Sequence, residues 1–218
     1  MLIASATAAV AAELPLKEVL SKVGAAYGPA PSAIVESGTT TSFRRGDGVL
    51  LRQYQAPDRF SIKIDYPTGT EVRSMIGASA WQQGTPANPI LRAAIALQAA
   101  RIALPWNLLA KQSALVDRGV VSAAGGKSLR AIELPLDQQL KLVVEFDPQT
   151  GHMLRSRGIQ RVGDNEMEFA TNYSEFRKIN GRTHAAREEH YAMGQHTGYS
   201  VIEKVAYPES LPDSAFLQ

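Results

Sequence analysis

The chain of 218 residues contains no cysteine. That absence excludes disulfides, thiol catalysis, Cys-ligated zinc, iron–sulfur clusters and every lipid anchor attached through a cysteine. Aromatic residues are sparse at 7%, and neither sign of charge dominates: 23 Lys+Arg face 21 Asp+Glu, for a formal net charge of +2. So small an excess gives no ground for a nucleic-acid partner. The one long apolar stretch, Ile90 to Ala110, is interrupted by Arg92, Gln98, Arg101, Pro105 and Asn107. Each charge near a bilayer centre costs roughly 2.5–3.5 kcal/mol, so the stretch is not read as a transmembrane helix and no integral membrane protein is expected. What is present is ordinary, with 44% hydrophobic and 20% charged residues, enough for one domain with a full core. No repeat, low-complexity tract or linker divides it, so residues 13–218 are read as a single domain.

Residues 2–12, LIASATAAVAA, are small and apolar and end in Val10-Ala11-Ala12 before Glu13. The pattern suits the remnant of a secretory signal with its cleavage site, the bland alternative being a disordered tail. A helix follows, with Pro15 near its start, Leu16, Val19, Leu20, Val23 and Tyr27 at three-to-four spacing, and Gly28-Pro29 as its stop. From about Ser32 the pattern changes to strands. Phe60, Ile62, Ile64 and Tyr66 alternate with Arg59, Ser61, Lys63 and Asp65, and short turns separate such segments. Asn88 is placed to cap a helix with Pro89 in its first turn, and the run to Leu104 is almost wholly Ala, Ile and Leu. Pro105 starts a second short helix carrying Trp106, Leu108 and Leu109. Strands resume through Leu142, Val144 and Phe146, a hairpin around Gly163-Asp164-Asn165, and Asn180-Gly181, a strong two-residue hairpin signal. Helix, strand block, apolar helical insert, strand block is the order of an α+β fold. A single antiparallel sheet of about eight to eleven strands should curl, and the Ile90–Ala110 helices are the material to cover its concave face.

The chemical motifs thin out on inspection. His184, Glu188, His190 and His196 are all even-numbered and invite a metal site, but no zinc-helix spacing is present. Strand residues six apart are about 20 Å apart, so exposed histidines are the expectation and no metal or other cofactor is predicted. Gly119 to Ser128 imitates a phosphate loop and Gly77-Ala78-Ser79-Ala80-Trp81 a nucleophile elbow, but each lacks a required glycine. Arg155, Arg157 and Arg161 are expected to pair across a hairpin with Asp164, Glu166 and Glu168 rather than to bind an anion. What remains is apolar surface. Phe60, Ile62, Ile64, Leu142, Val144 and Phe146 either meet Leu91, Ile95, Leu97, Ile102 and Leu104 in a dry core, the default of close packing, or line a cavity for a lipophilic ligand.

Several local phrases then resemble one family. Ala56-Pro57-Asp58-Arg59-Phe60 with Ile62 and Ile64, Tyr66-Pro67, Gly77 and Trp81 form the first set. Val144 to Gly151, then Tyr173, Phe176 and Ile179-Asn180-Gly181, form the second, and Leu211-Pro212-Asp213-Ser214-Ala215-Phe216 closes the chain. Together they resemble the LolA-like superfamily of periplasmic outer-membrane lipoprotein carriers. The chain departs from it at Ala56, where the carriers hold a basic residue before the proline, and it is read as a divergent member.

The resemblance implies an incomplete β-barrel closed by helices that holds acyl chains in a hydrophobic cavity. It raises the cavity reading over the dry core and implies a soluble periplasmic carrier of a lipid or acyl-bearing ligand, in lipoprotein or lipid transport to the outer membrane. Its partners would be the acyl chains and the transport proteins of the two membranes. The candidate ligand-binding residues are Phe60, Ile62, Ile64, Trp81, Leu97, Leu104, Trp106, Leu142, Val144 and Phe146. The absence of cysteine places the chain with the carriers rather than with a lipid-anchored acceptor. One alternative is an enzyme acting on an apolar or aromatic substrate in the same half-barrel, for which Tyr54, Glu203 and His184 are the positions to inspect. The other is an envelope interaction module with a filled core.

Overall fold

A computed structural model describes residues 14–123 and 126–217; the expected signal remnant lies outside the described residues. The elements are α1 (Leu16–Tyr27), β1 (Ala33–Ser42), β2 (Gly46–Gln55), β3 (Arg59–Tyr66), β4 (Gly69–Ile76), β5 (Ser79–Gln82), β6 (Thr85–Pro86), α2 (Pro89–Ile102) and α3 (Leu104–Ala110), then β7 (Val116–Ser122), β8 (Ser128–Pro135), β9 (Leu140–Phe146), β10 (Met153–Val162), β11 (Asn165–Ile179), β12 (Arg182–Ala192) and β13 (Gln195–Ala206).

The strands form one antiparallel sheet of thirteen in the order β6-β5-β4-β3-β2-β1-β13-β12-β11-β10-β9-β8-β7. Its ends, β6 and β7, do not meet, so the barrel is incomplete. The two strand blocks join where β1 pairs with β13, Val35 opposite Ala206 and Ser42 opposite Gly198. The count exceeds the expectation because β5 and β6 are too short to show an alternating pattern. Asn180 and Gly181 both have positive φ, 50° and 77°, and join β11 to β12 in the expected two-residue turn.

The helices lie on the sheet as anticipated. The Asn88 side chain accepts from Leu91 N at 2.9 Å and caps α2. The helix ends at Ile102, since Pro105 cannot continue it, and α3 leaves at 83°. Among the described residues no single helix is long and apolar enough to cross a membrane. Gly158 on β10 makes the close approach of α2 possible: a Cβ there would stand 2.7 Å from both Leu97 methyls.

The core falls into two clusters. One gathers Val19, Leu20, Val23, Tyr27, Leu97, Leu104, Leu108, Ile132, Leu142, Val144 and Phe146. The other gathers Leu50, Phe60, Ile62, Ile64, Ala80, Ile95 and Ile202. Burial of this kind contributes about 0.8 kcal/mol per methylene. Between the two clusters lies a band of charge.

Candidate functional site

A cavity of about 270 Å³ runs beneath α2 and α3 along β1, β13 and β12. Its lining extends from Thr183 to His190 on β12, roughly 20 Å at 3.3 Å per strand residue. One end is closed. There Tyr27, Trp106, Met153 and Thr183 are buried, Trp106 Nε1 donates to Gly28 O at 3.1 Å, and Met153 N donates to the Tyr27 hydroxyl at 3.0 Å. At the other end Thr197 is exposed and Tyr66 and Arg73 are half-buried. Leu50, Ile62, Ile64 and Ile102 give the cavity its apolar stretch near that open end.

The middle of the cavity is polar. Arg52 on β2 binds Glu188 on β12 through two hydrogen bonds of 2.8 and 2.9 Å, and its Nε stands 2.7 Å from Glu36 Oε2 on β1. Burial acts to raise the Glu188 pKa, but the charge and hydrogen bonds of Arg52 outweigh it and hold the carboxyl at about 2. His184 Nε2 lies 3.5 Å from Glu36 Oε1. His190 Nε2 is 2.9 Å from Ser200 Oγ, which donates to Thr40 Oγ1 at 3.0 Å. Burial pushes the His190 pKa down, and the nearby Glu188 only partly restores it. From the roof, Arg101 of α2 donates to Ser156 Oγ at 3.1 Å and to Phe169 O. Ser156 Oγ in turn contacts the Tyr173 hydroxyl at 2.8 Å, whose pKa burial pushes up to about 12.

Of the ten candidate ligand-binding residues, the structure brings three to the cavity wall: Ile62, Ile64 and Trp106. Phe60, Leu97, Leu104, Leu142, Val144 and Phe146 are buried in the packed clusters and do not line it. Trp81 lies on β5 opposite Ser74, away from the cavity. Tyr54 is buried and donates to Pro57 O at 3.0 Å, and Glu203 is exposed, so only His184 of the three positions named for an enzyme faces the cavity.

Two sequence expectations change. His184 and His190 are not exposed strand histidines: both are half-buried and line the cavity. His196 is not on their strand: it lies on β13 opposite Tyr191, where it stacks on that ring and pairs with Glu189 at 2.6 Å. Among the described residues no three metal-ligating side chains converge. The expected cross-strand pairing forms in part, with Arg157 3.2 Å and Arg155 3.7 Å from Glu168, while Arg157 also takes Glu145 at 3.1 Å and, among the described residues, Arg161, Asp164 and Glu166 form no ion pair. Gly119 to Ser128 falls on the β7–β8 hairpin, of which residues 124–125 lie outside the described residues.

Sequence reasoning missed Glu36, Arg52 and Arg101 as a unit. The signal was parity: Arg52 sits between Leu50 and Tyr54 on the buried alternation of β2, and Glu36 follows Ile34 in the same way on β1. A charge on the apolar parity is a buried charge, and a buried charge needs a partner.

An open antiparallel sheet rolled around a trough and roofed by helices defines the class of incomplete β-barrels. Within that class the chain has the LolA-like fold. It superposes on a LolA superfamily protein from Nitrosomonas europaea with a TM-score of 0.64 at 14% identity, over 94% of this chain and 98% of that one. A putative outer membrane lipoprotein-sorting protein domain from Vibrio parahaemolyticus gives 0.58 at 10% identity, over 91% and 94%. A DUF1329 family protein from Desulfovibrio piger gives 0.56 at 11% identity, over 92% and 94%. No family model matches the sequence, and no curated protein matches it. At these identities the likeness is one of fold.

Proposed function

We propose that the chain is a periplasmic carrier that encloses a lipid or other acyl-bearing ligand beneath α2 and α3 without altering its bonds. The observation that carries this reading is the narrow cavity between roof and sheet, closed at Trp106 and open at Thr197. Its volume of about 270 Å³ falls just below the roughly 300–1,000 Å³ of ordinary small-molecule pockets. One extended chain suits it with the roof in place, and a larger cargo requires the roof to lift. The neighbour named as a putative outer membrane lipoprotein-sorting protein domain supports the same reading, as does the small-residue pattern of residues 2–12. The transport proteins of the two membranes remain the partners this reading implies. Native mass spectrometry of the purified protein, with organic extraction of what it carries, tests it. A co-purifying lipid, or uptake of a fatty-acid probe, is expected; protein that is empty and takes up no probe overturns it.

A second reading has one observation in its favour. His184 and His190 stand in the cavity beside buried carboxylates, as a catalytic site requires. Both carboxylates are already committed to Arg52, which leaves His190, neutral near pH 7, as the group able to take a proton. Chemical change in an extracted ligand on incubation, abolished by His190→Gln, would favour the enzyme; an unchanged ligand favours the carrier.

A further inference from the structure

The charges of the cavity are balanced in its middle and unbalanced at its mouth. Arg52 and Arg101 are offset by Glu36 and Glu188, so these four charges of the central band sum to zero. At the open end Arg45, from the turn between β1 and β2, and Arg73, from β4, both bond to a single carboxylate, Glu71. Two guanidinium groups against one buried carboxylate leave one positive charge in excess. The other carboxylates of these turns, Asp47 and Asp65, do not line the cavity: Asp47 accepts from Thr41 at 2.6 Å, and Asp65 accepts from Thr70 at 2.7 Å and pairs with Lys63 at 3.0 Å.

Arg73 is held on the cavity wall, with Arg45 beside it over the lining ring of Tyr66. Arg73 lies opposite Ile62 in the β3–β4 register and lines the cavity, and its Nε is buried with no hydrogen-bond partner among the described residues. Arg45 stands 4.5 Å over the Tyr66 ring. Tyr66 is settled against β2 because position 48 is glycine: a Cβ there would be 2.9 Å from the ring and 2.8 Å from Ile64. The excess cation and the apolar stretch of Leu50, Ile62 and Ile64 are therefore neighbours on one wall. A partly buried guanidinium with a free N–H forms charge-assisted hydrogen bonds to carboxylate or phosphate oxygens.

We propose that Arg45 and Arg73 receive the anionic head of an amphiphile at the cavity mouth while its tail lies along Leu50, Ile62 and Ile64. This rests on the carrier reading and names the class of cargo. The head carries a carboxylate or a phosphate and meets the excess charge that Glu71 leaves; a neutral head of the same chain length gains nothing there.

Isothermal titration calorimetry of the delipidated full chain tests this with laurate, lauroyl lysophosphatidylglycerol and the neutral monolaurin. At least one anion is expected to bind about tenfold or more tightly than monolaurin, a ratio that falls with added salt. Laurate alone showing the preference identifies a carboxylate cargo, and the lysophospholipid alone a phosphate one. Arg73→Gln leaves Glu71 paired with Arg45, and Arg45→Gln leaves it paired with Arg73. Each variant is expected to lose about tenfold in anion affinity with monolaurin binding unchanged. Equal affinity for anionic and neutral probes, or both variants binding anions like the parent chain, overturns the head site and leaves the carrier standing. Failure of all three probes to bind overturns the carrier reading and this one with it.

Discussion

Arg52 is the residue on which the interior depends. From β2 it ties neighbouring β1 to sequence-distant β12, pairing with both Glu36 and Glu188 at contact distance. Removing one partner of a buried ion pair is far more destructive than never having built it, because the other is left charged in a poorly solvating interior. Arg52→Met is expected to destabilise the fold by about 3–5 kcal/mol, read from the urea midpoint. Adding Glu36→Gln and Glu188→Gln to the same chain should recover much of that loss. The same band sets the acid limit of stability. His190 is held below its ordinary pKa, so the unfolded chain takes up a proton there before the folded one does, and stability falls as pH drops below about 6.5. Glu188, held at about 2, contributes stability that is full above its unfolded value and is lost as pH falls from about 4.5 towards 2. Thermal melts should therefore drop in two stages on acidification, and His190→Gln should flatten the first while leaving the second. At this scale the sequence was readable only in part. Ile62, Ile64 and Trp106 stand on the cavity wall, whereas Phe60, Leu97 and Phe146 went into the packed core. The alternation that marks a side chain as inward does not say whether it meets a helix or a void.

Among the elements, α2 and the strands beneath it carry the conformational question. The helix is apolar nearly all round, so its exposed residue Arg92 and its half-buried residue Arg101 mark its outer and inner faces. Leu97 rests in the notch left by Gly158. Gly158→Ala is expected to cost about 1–3 kcal/mol through overpacking, since fully buried Leu97 has nowhere to turn. Hydrogen exchange should show the loosening in α2 ahead of the central strands; uniform protection across both would contradict this account of the roof. Most elements were legible because their signals are local. Asn88-Pro89 starts α2, Asn180-Gly181 turns β11 into β12, and the Phe60 to Tyr66 alternation marks β3. The short β5 and β6 and the register shift at His190–Tyr191 were not, because pairing between strands decides them rather than any local pattern.

For the whole molecule, the carrier reading requires α2 and the sheet to separate. The absence of cysteine makes this directly testable. In Leu97→Cys with Gly158→Cys the two introduced thiols are the only ones, placed where a side chain at 97 already reaches position 158. Oxidation should block ligand uptake and reductant should restore it, followed with a fluorescent fatty acid; uptake that continues in the oxidised form would show that the roof need not move. The sequence by itself determined the order of elements, the single antiparallel sheet and the apolar helical cover, because periodicity, caps and turns are written in neighbouring residues. It also determined what chemistry the chain lacks, since no thiol can be supplied by folding. Only the tertiary structure decided that the interior is two apolar clusters divided by a band of charge, and that a surplus arginine stands at the mouth. Arg52 meets Glu36 and Glu188, and Arg45 and Arg73 meet over Glu71, only after the sheet has curled, and no spacing along the chain records those distances.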